Sequence, residues 1–391
     1  YILANYNVQI TDGTLTVSAR AIKVQVGATS SIYGQPETAI SYTITEGSIY
    51  TGDDESEVFT LTAGVTADSD VGEYNITLNN LKEGYYAIGY NTGNYLYNVT
   101  PATITDAGVD DVTGLTYNAR NQFAADGLKK SATTVNDEEP TWTFSTAYDA
   151  EGEGYSGTLD LTDAGTYRIY YKITADNHED YISEDYFTVT IGKATLNVTV
   201  TGETIYGGDA PSDAEYDITV GENELKEQDS IQSIGLKAGT TFTISHSYEA
   251  GDNAGTYVLT LTDNTNGEHL TNYTIIYVRG SVSGGEYSGS LLTVNQREIT
   301  LRINDIDVDY GDEPGTLSLA LTGGSFYNGH SESDFLGYLS VNSESDGTGS
   351  VITPSNELAR GTYYIIGNDN NTGIAANYAI TFIGETYDDY G

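Results

Sequence analysis

Residues 196–200, Leu196-Asn197-Val198-Thr199-Val200, alternate apolar and polar side chains without a break. A period of two puts every second side chain on one face of a strand, and the β-branched content favours the same assignment. The pattern returns at Ile22-Lys23-Val24-Gln25-Val26 and at Ile299-Thr300-Leu301-Arg302-Ile303. Each copy predicts a strand with one buried and one solvated face. The recurrence predicts a chain built from repeats.

Three further markers recur in fixed order. Tyr-Gly stands at Tyr33-Gly34, Tyr206-Gly207 and Tyr310-Gly311, with a degenerate Tyr117-Asn118 in the missing slot. Gly-x-Tyr follows at Gly72-Glu73-Tyr74, Gly165-Thr166-Tyr167, Gly255-Thr256-Tyr257 and Gly361-Thr362-Tyr363. An Asn-Tyr or Asp-Tyr pair comes next, at Asn5-Tyr6, Asn94-Tyr95, Asp180-Tyr181, Asn272-Tyr273 and Asn377-Tyr378. Closing strands are expected at Leu15-Thr16-Val17, Thr103-Ile104-Thr105, Val189-Thr190-Ile191 and Leu292-Thr293-Val294. The repeats then span residues 20–106, 107–193, 194–297 and 298–391. Residues 1–19 read as the tail of a preceding repeat, and the last repeat stops short of a closing strand. The start at Tyr1, without Met or a signal-peptide pattern, reads as an internal piece of a longer protein.

Short strands separated by Gly, Asn and Asp turns predict an all-β fold, a tandem array of four immunoglobulin-like β-sandwich repeats. β-Grasp-like units with one short helix are the alternative. The best helix candidate is Glu222 to Leu236, with Glu332 to Leu339 behind it. Trp142 is assigned to the core. The Gly-x-Tyr tyrosines are expected to put the ring inside and bond the hydroxyl to a turn, as in a tyrosine corner.

Composition excludes much. The 391 residues include no Cys and no Met, so no disulfide, thiolate metal site or cysteine nucleophile exists. Asp+Glu number 57 against 15 Lys+Arg, a net charge of −42. That charge argues against nucleic acid and against anionic membrane surfaces, and no apolar run is long enough for membrane insertion. Tyr, at 34 residues, and the alternating strands argue against disorder.

The ordered markers resemble the MBG-type, or Tyr-Gly-x, tandem repeats of bacterial cell-surface and adhesin proteins. The matching residues are Tyr33-Gly34-Gln35, Tyr206-Gly207-Gly208 and Tyr310-Gly311-Asp312. The second repeat departs from them and looks like a sister type, with Asp163-Ala164-Gly165-Thr166-Tyr167 and Ile191-Gly192-Lys193-Ala194. The resemblance implies a stalk or adhesin segment, extracellular on a bacterial surface, and no catalytic residues.

No catalytic motif stands out, so the chain reads as a non-enzyme. Carboxylates are too many for one acid–base pair to be singled out. His178, His246, His269 and His330 lack metal-ligand spacing and read as surface loop residues. Asp305, Asp307 and Asp309 alternate along one strand face, about 6.7 Å apart, and Asp312 follows the turn. Oxygen ligands so spaced suit calcium, the one cofactor the sequence suggests. Tyr85, Tyr86, Tyr95 and Tyr97 form the densest tyrosine group, suited to stacking on a host glycan or mucin. The leading function is a structural stalk. An adhesin module and a filament subunit joined head to tail by strand donation are the alternatives.

Overall fold

The computed structural model describes residues 6–9, 11–91, 96–268, 270–345, 347–368 and 372–384, with the backbone alone for residues 86–91. The chain packs as two compact units. One holds residues 1–115, 121–161 and 166–190; the other holds 116–120, 162–165 and 191–391. Both are all-β.

In the first unit the opening strand Arg20–Val26 is the centre of a mixed sheet. It runs antiparallel to Tyr42–Gly47 and parallel to Tyr85–Asn91. The chain continues as Thr29–Ile32, which pairs in parallel with the closing strand Tyr97–Thr100. That strand takes Gly72–Tyr74 antiparallel on its other edge, while Thr60–Thr62 and Thr77–Asn79 form a separate ladder. Ile22, Val24 and Val26 are fully buried, as their alternation predicts. Val26, Tyr33, Val65, Ile76, Tyr97 and Val99 form one core drawn from separate sheets. The rest of the unit adds Thr105–Val109 on Lys130–Thr133. It also adds a sheet ordered Val112–Thr116, Phe187–Gly192, Gly165–Thr174, Thr141–Ser145.

The second unit repeats the plan twice. Ala194–Ile205 is a single strand of 12 residues. Its first half pairs in parallel with Tyr273–Tyr277 and its second half with the closing strand Leu291–Asn295. The closing strand again takes the Gly-x-Tyr strand, Gly255–Val258, on its far edge. Arg297–Ile303 then opens a further mixed sheet, antiparallel to Leu319–Gly324 and parallel to Tyr378–Ile383. Leu339–Asn342 pairs with Val351–Ile352 and Tyr364–Gly367.

Three local expectations are corrected. Glu222 to Leu236 forms turns, because Asn223 and Gly235 adopt positive φ. Glu332–Tyr338 instead forms a seven-residue 3-10 helix, started by a capping box in which Ser331 and Asp334 satisfy each other's backbone N–H. The closing strand of the first repeat is Tyr97–Thr100, not Thr103-Ile104-Thr105. Trp142 is only half-buried, packed on the Tyr171 ring with the Lys130 ammonium over its face.

Leu301→Ala empties a fully buried position on the central strand of the last sheet. It is expected to cost about 2–5 kcal/mol, read as a lower denaturant midpoint. Lys23→Ala removes an exposed 2.9 Å ion pair to Glu46 and is expected to cost about 1 kcal/mol at most.

Candidate functional site: the tyrosine and asparagine junctions

Four side chains share one register position. Tyr85 stands opposite Arg20, Tyr273 opposite Ala194, Tyr378 opposite Arg297, and His178 bridges in parallel to Ala102. All four are buried. Each accepts one backbone N–H from the segment packed over it. Tyr50 N–H donates to the Tyr85 hydroxyl at 2.9 Å, Lys226 to Tyr273 at 3.0 Å and Tyr327 to Tyr378 at 3.0 Å. In the sister repeat Val135 N–H donates to His178 Nε2 at 2.8 Å. The other ring nitrogen, Nδ1, therefore carries the proton and donates to the Asp176 carbonyl at 2.7 Å. His178 is a core acceptor, contrary to its reading as a surface loop residue. His178 lies eleven residues after the Gly-x-Tyr tyrosine, as does Tyr85. That shared spacing marks the pair, whereas Asp180-Tyr181 does not fill the position and Asn94-Tyr95 lies outside the described residues.

An asparagine precedes three of these side chains: Asn177, Asn272 and Asn377. Their Oδ1 atoms accept Val71 N–H at 2.8 Å, Ala164 N–H at 2.8 Å and Ala254 N–H at 2.7 Å. Their Nδ2 atoms donate to Asp70 at 3.0 Å, Asp163 at 2.9 Å and Asn253 at 2.9 Å. The receiving residues are in each case the two before a Gly-x-Tyr tripeptide. The tripeptide's tyrosine shapes that receiver. Tyr74 donates its hydroxyl to the Asp70 carbonyl and Tyr257 to the Asn253 carbonyl, both at 2.7 Å. Tyr363 makes the same bond to Ala359 at 2.9 Å. The rings are half-buried, and the bond to the carbonyl four residues back is the expected corner.

The Tyr-Gly tyrosine completes the set. Tyr33 meets the His178 ring edge-on at 5.7 Å and donates to Glu138 at 2.9 Å. Tyr117 meets Tyr273 at 5.3 Å, and both hydroxyls donate to the same Asp229 oxygen, at 2.9 and 2.6 Å. Tyr206 meets Tyr378 at 5.4 Å inside the core of Ile299, Leu301 and Phe335. Burial first, and then the Asp229 carboxylate, pushes the Tyr117 hydroxyl up to about 12, and the same causes raise Tyr273 further. The marker's glycine has its own reason. A Cβ on Gly207, at φ +77°, would stand 2.3 Å from the Tyr327 ring.

The residues expected to bind ligands lie elsewhere or are already engaged. Tyr85 is buried, with its hydroxyl donating to Asp53, and Tyr97 is buried, accepting Thr38 N–H at 2.7 Å. Neither offers a ring face for sugar stacking. The Tyr86 side chain and all of Tyr95 lie outside the described residues. Asp305, Asp307, Asp309 and Asp312 are exposed beyond the end of strand Arg297–Ile303. Among the described residues no group of three His, Cys, Asp or Glu side chains converges to hold a metal ion.

Asn377→Ala strands the Ala254 N–H and is expected to cost about 1–3 kcal/mol, measured by thermal unfolding. Tyr117 is raised from 10.0 in the unfolded chain to about 12 when folded. Its stabilisation is whole below pH 10 and is lost as pH rises toward 12. Tyrosinate difference absorbance should show this late ionisation, and Asp229→Asn should bring it earlier.

No curated protein matches the chain. Among solved structures, Drosophila N-cadherin EC1-3 is 12% identical, covering 74% of this chain and 91% of that one, with a TM-score of 0.18. The protocadherin gammaB7 EC3-6 cis-dimer is 10% identical, covering 87% and 92%, with a TM-score of 0.20. Helices long and apolar enough to cross a membrane are absent among the described residues. Residues 22–96 match the family model of the MBG domain, YGX type, the family that the Tyr-Gly and Gly-x-Tyr markers resemble.

Proposed function

We propose that this chain is a structural stalk segment of an extracellular bacterial surface protein. Four β repeats, at residues 20–106, 107–193, 194–297 and 298–391, follow the tail of another at 1–19. One observation carries the reading: the same asparagine bridge recurs at Asn177, Asn272 and Asn377, always onto the residues before a Gly-x-Tyr corner. A bonding set that recurs at such intervals ties neighbours together, and stability then adds along the array. A ligand site would instead be expected to break the pattern at one place. The net charge of −42 supports the same reading, since it keeps like surfaces apart.

Pulling the chain by its ends in a single-molecule force experiment tests this. The stalk reading expects successive unfolding steps, each releasing about 90 residues, or roughly 300 Å of extended chain. Asn377→Ala should lower the force of one step. Collapse of the whole chain in a single step removes the reading. Saturable binding on a glycan array would put an adhesin module in its place.

A further inference from the structure

We infer that Tyr148 and Tyr170 are a modification site, at which a peroxidase working on hydrogen peroxide joins the two rings by a carbon–carbon bond. The inference does not rest on the stalk reading.

One pair of strands places both rings. Strand Gly165–Thr174 buries Ile169, Tyr171 and Ile173, so alternation turns Tyr170 to the opposite face. Tyr170 stands opposite Ser145, the last residue of strand Thr141–Ser145. The chain then loops out and returns where Phe144 and Ser156 exchange backbone hydrogen bonds of 2.7 and 2.9 Å. That loop carries Tyr148 back against the strand, its ring 5.6 Å from that of Tyr170 and tilted by 52°. Tyr148 is 43% exposed, and exposed side chains change rotamer within nanoseconds, so the ring edges can meet.

Access and electron density single this pair out. Apart from Tyr170 with Tyr186, every other tyrosine pair in ring contact among the described residues includes a buried member, Tyr117, Tyr171, Tyr206 or Tyr248. Tyr186 is exposed and 5.9 Å from Tyr170. The Arg168 guanidinium, however, lies 4.8 Å from the Tyr186 ring, and a cation held by a ring's electrons opposes the removal of one. The chain has no Cys or Met to take the oxidant first. Trp142 is half-buried with the Lys130 ammonium over it.

The step balances. Each tyrosine gives one electron to the peroxidase and its hydroxyl proton to water, leaving a phenoxyl radical with spin on the carbon ortho to oxygen. The two ortho carbons couple, and their hydrogens move to the oxygens as the rings become aromatic again. Hydrogen peroxide takes up the two electrons and two protons and leaves as two waters. The bond restricts the unfolded chain as a disulfide does, in a protein that can form none.

Dilute 391-residue chain treated with a haem peroxidase and equimolar hydrogen peroxide tests this. The expected product is a single chain lighter by two hydrogens, with the fluorescence of a biphenol. Trypsin cuts after Lys130, Arg168 and Lys172, so peptides 131–168 and 169–172 should stay joined. Tyr148→Phe and Tyr170→Phe keep a ring in place and should each abolish the joined peptide, whereas Tyr186→Phe should leave its yield unchanged. The inference is overturned if no joined peptide forms, or if it persists in either of the first two variants. Coupling of 169–172 to 173–193, or coupling spread over other tyrosine peptides, overturns it as well.

Discussion

A backbone N–H buried beside a turn must find an acceptor, and in this chain the acceptor is a side chain from about a hundred residues further on. Val71, Ala164 and Ala254 each donate to an asparagine amide. The amide is suited to the position because it both accepts and donates. Its Nδ2 returns a bond to the residue before the one it serves, so neither end is left unsatisfied. Removing such a partner costs more than the bond itself contributes, because the stranded donor stays dry. The tyrosine corner, the asparagine bridge and the edge-on tyrosine pair all follow from keeping this meeting point closed.

The opening strands were legible because burial follows a period of two and the sequence writes that period plainly, as at Ile22, Val24 and Val26. The Gly-x-Tyr corners were legible too, since their bond spans only four residues. Less visible was anything that depends on parallel pairing. Tyr85 and His178 share a role with Tyr273 and Tyr378 only through register against a strand far back in the chain, and His178 does not share their residue type. The tyrosine cluster misled for a related reason. Alternation says which side chains share a face, not whether a later strand covers that face, and Tyr97 is covered. The apolar spacing of Leu225, Ile231 and Ile234 misled because positive-φ residues at Asn223 and Gly235 outweighed it, while the capping box at Ser331 fixed a start that spacing alone did not mark.

Charge and bonding divide the work. Several carboxylates have specific structural partners, among them Asp229 under two tyrosine hydroxyls, Glu138 under Tyr33, and Asp70 and Asp163 under asparagine amides. A hydrogen bond to a carboxylate is about twice as strong as one between neutral groups. An acidic chain thus draws its connecting bonds from the same residue types that give it a repulsive surface.

The split pairing of Ala194–Ile205 has a bearing on how the protein is made. Residues 201–205 pair with residues 291–295, about 90 residues later, and the first half of the same strand waits nearly as long for Tyr273–Tyr277. Pairings of such separation close late, because loop entropy must be overcome before they add anything. A chain emerging from a ribosome or an export channel with its amino end first carries a half-covered apolar strand throughout that interval. The strand finds its second partner only when its own repeat is almost complete. A repeat whose partners all lie within it can therefore close before the next one emerges, and the order of emergence itself keeps equivalent strands from exchanging partners.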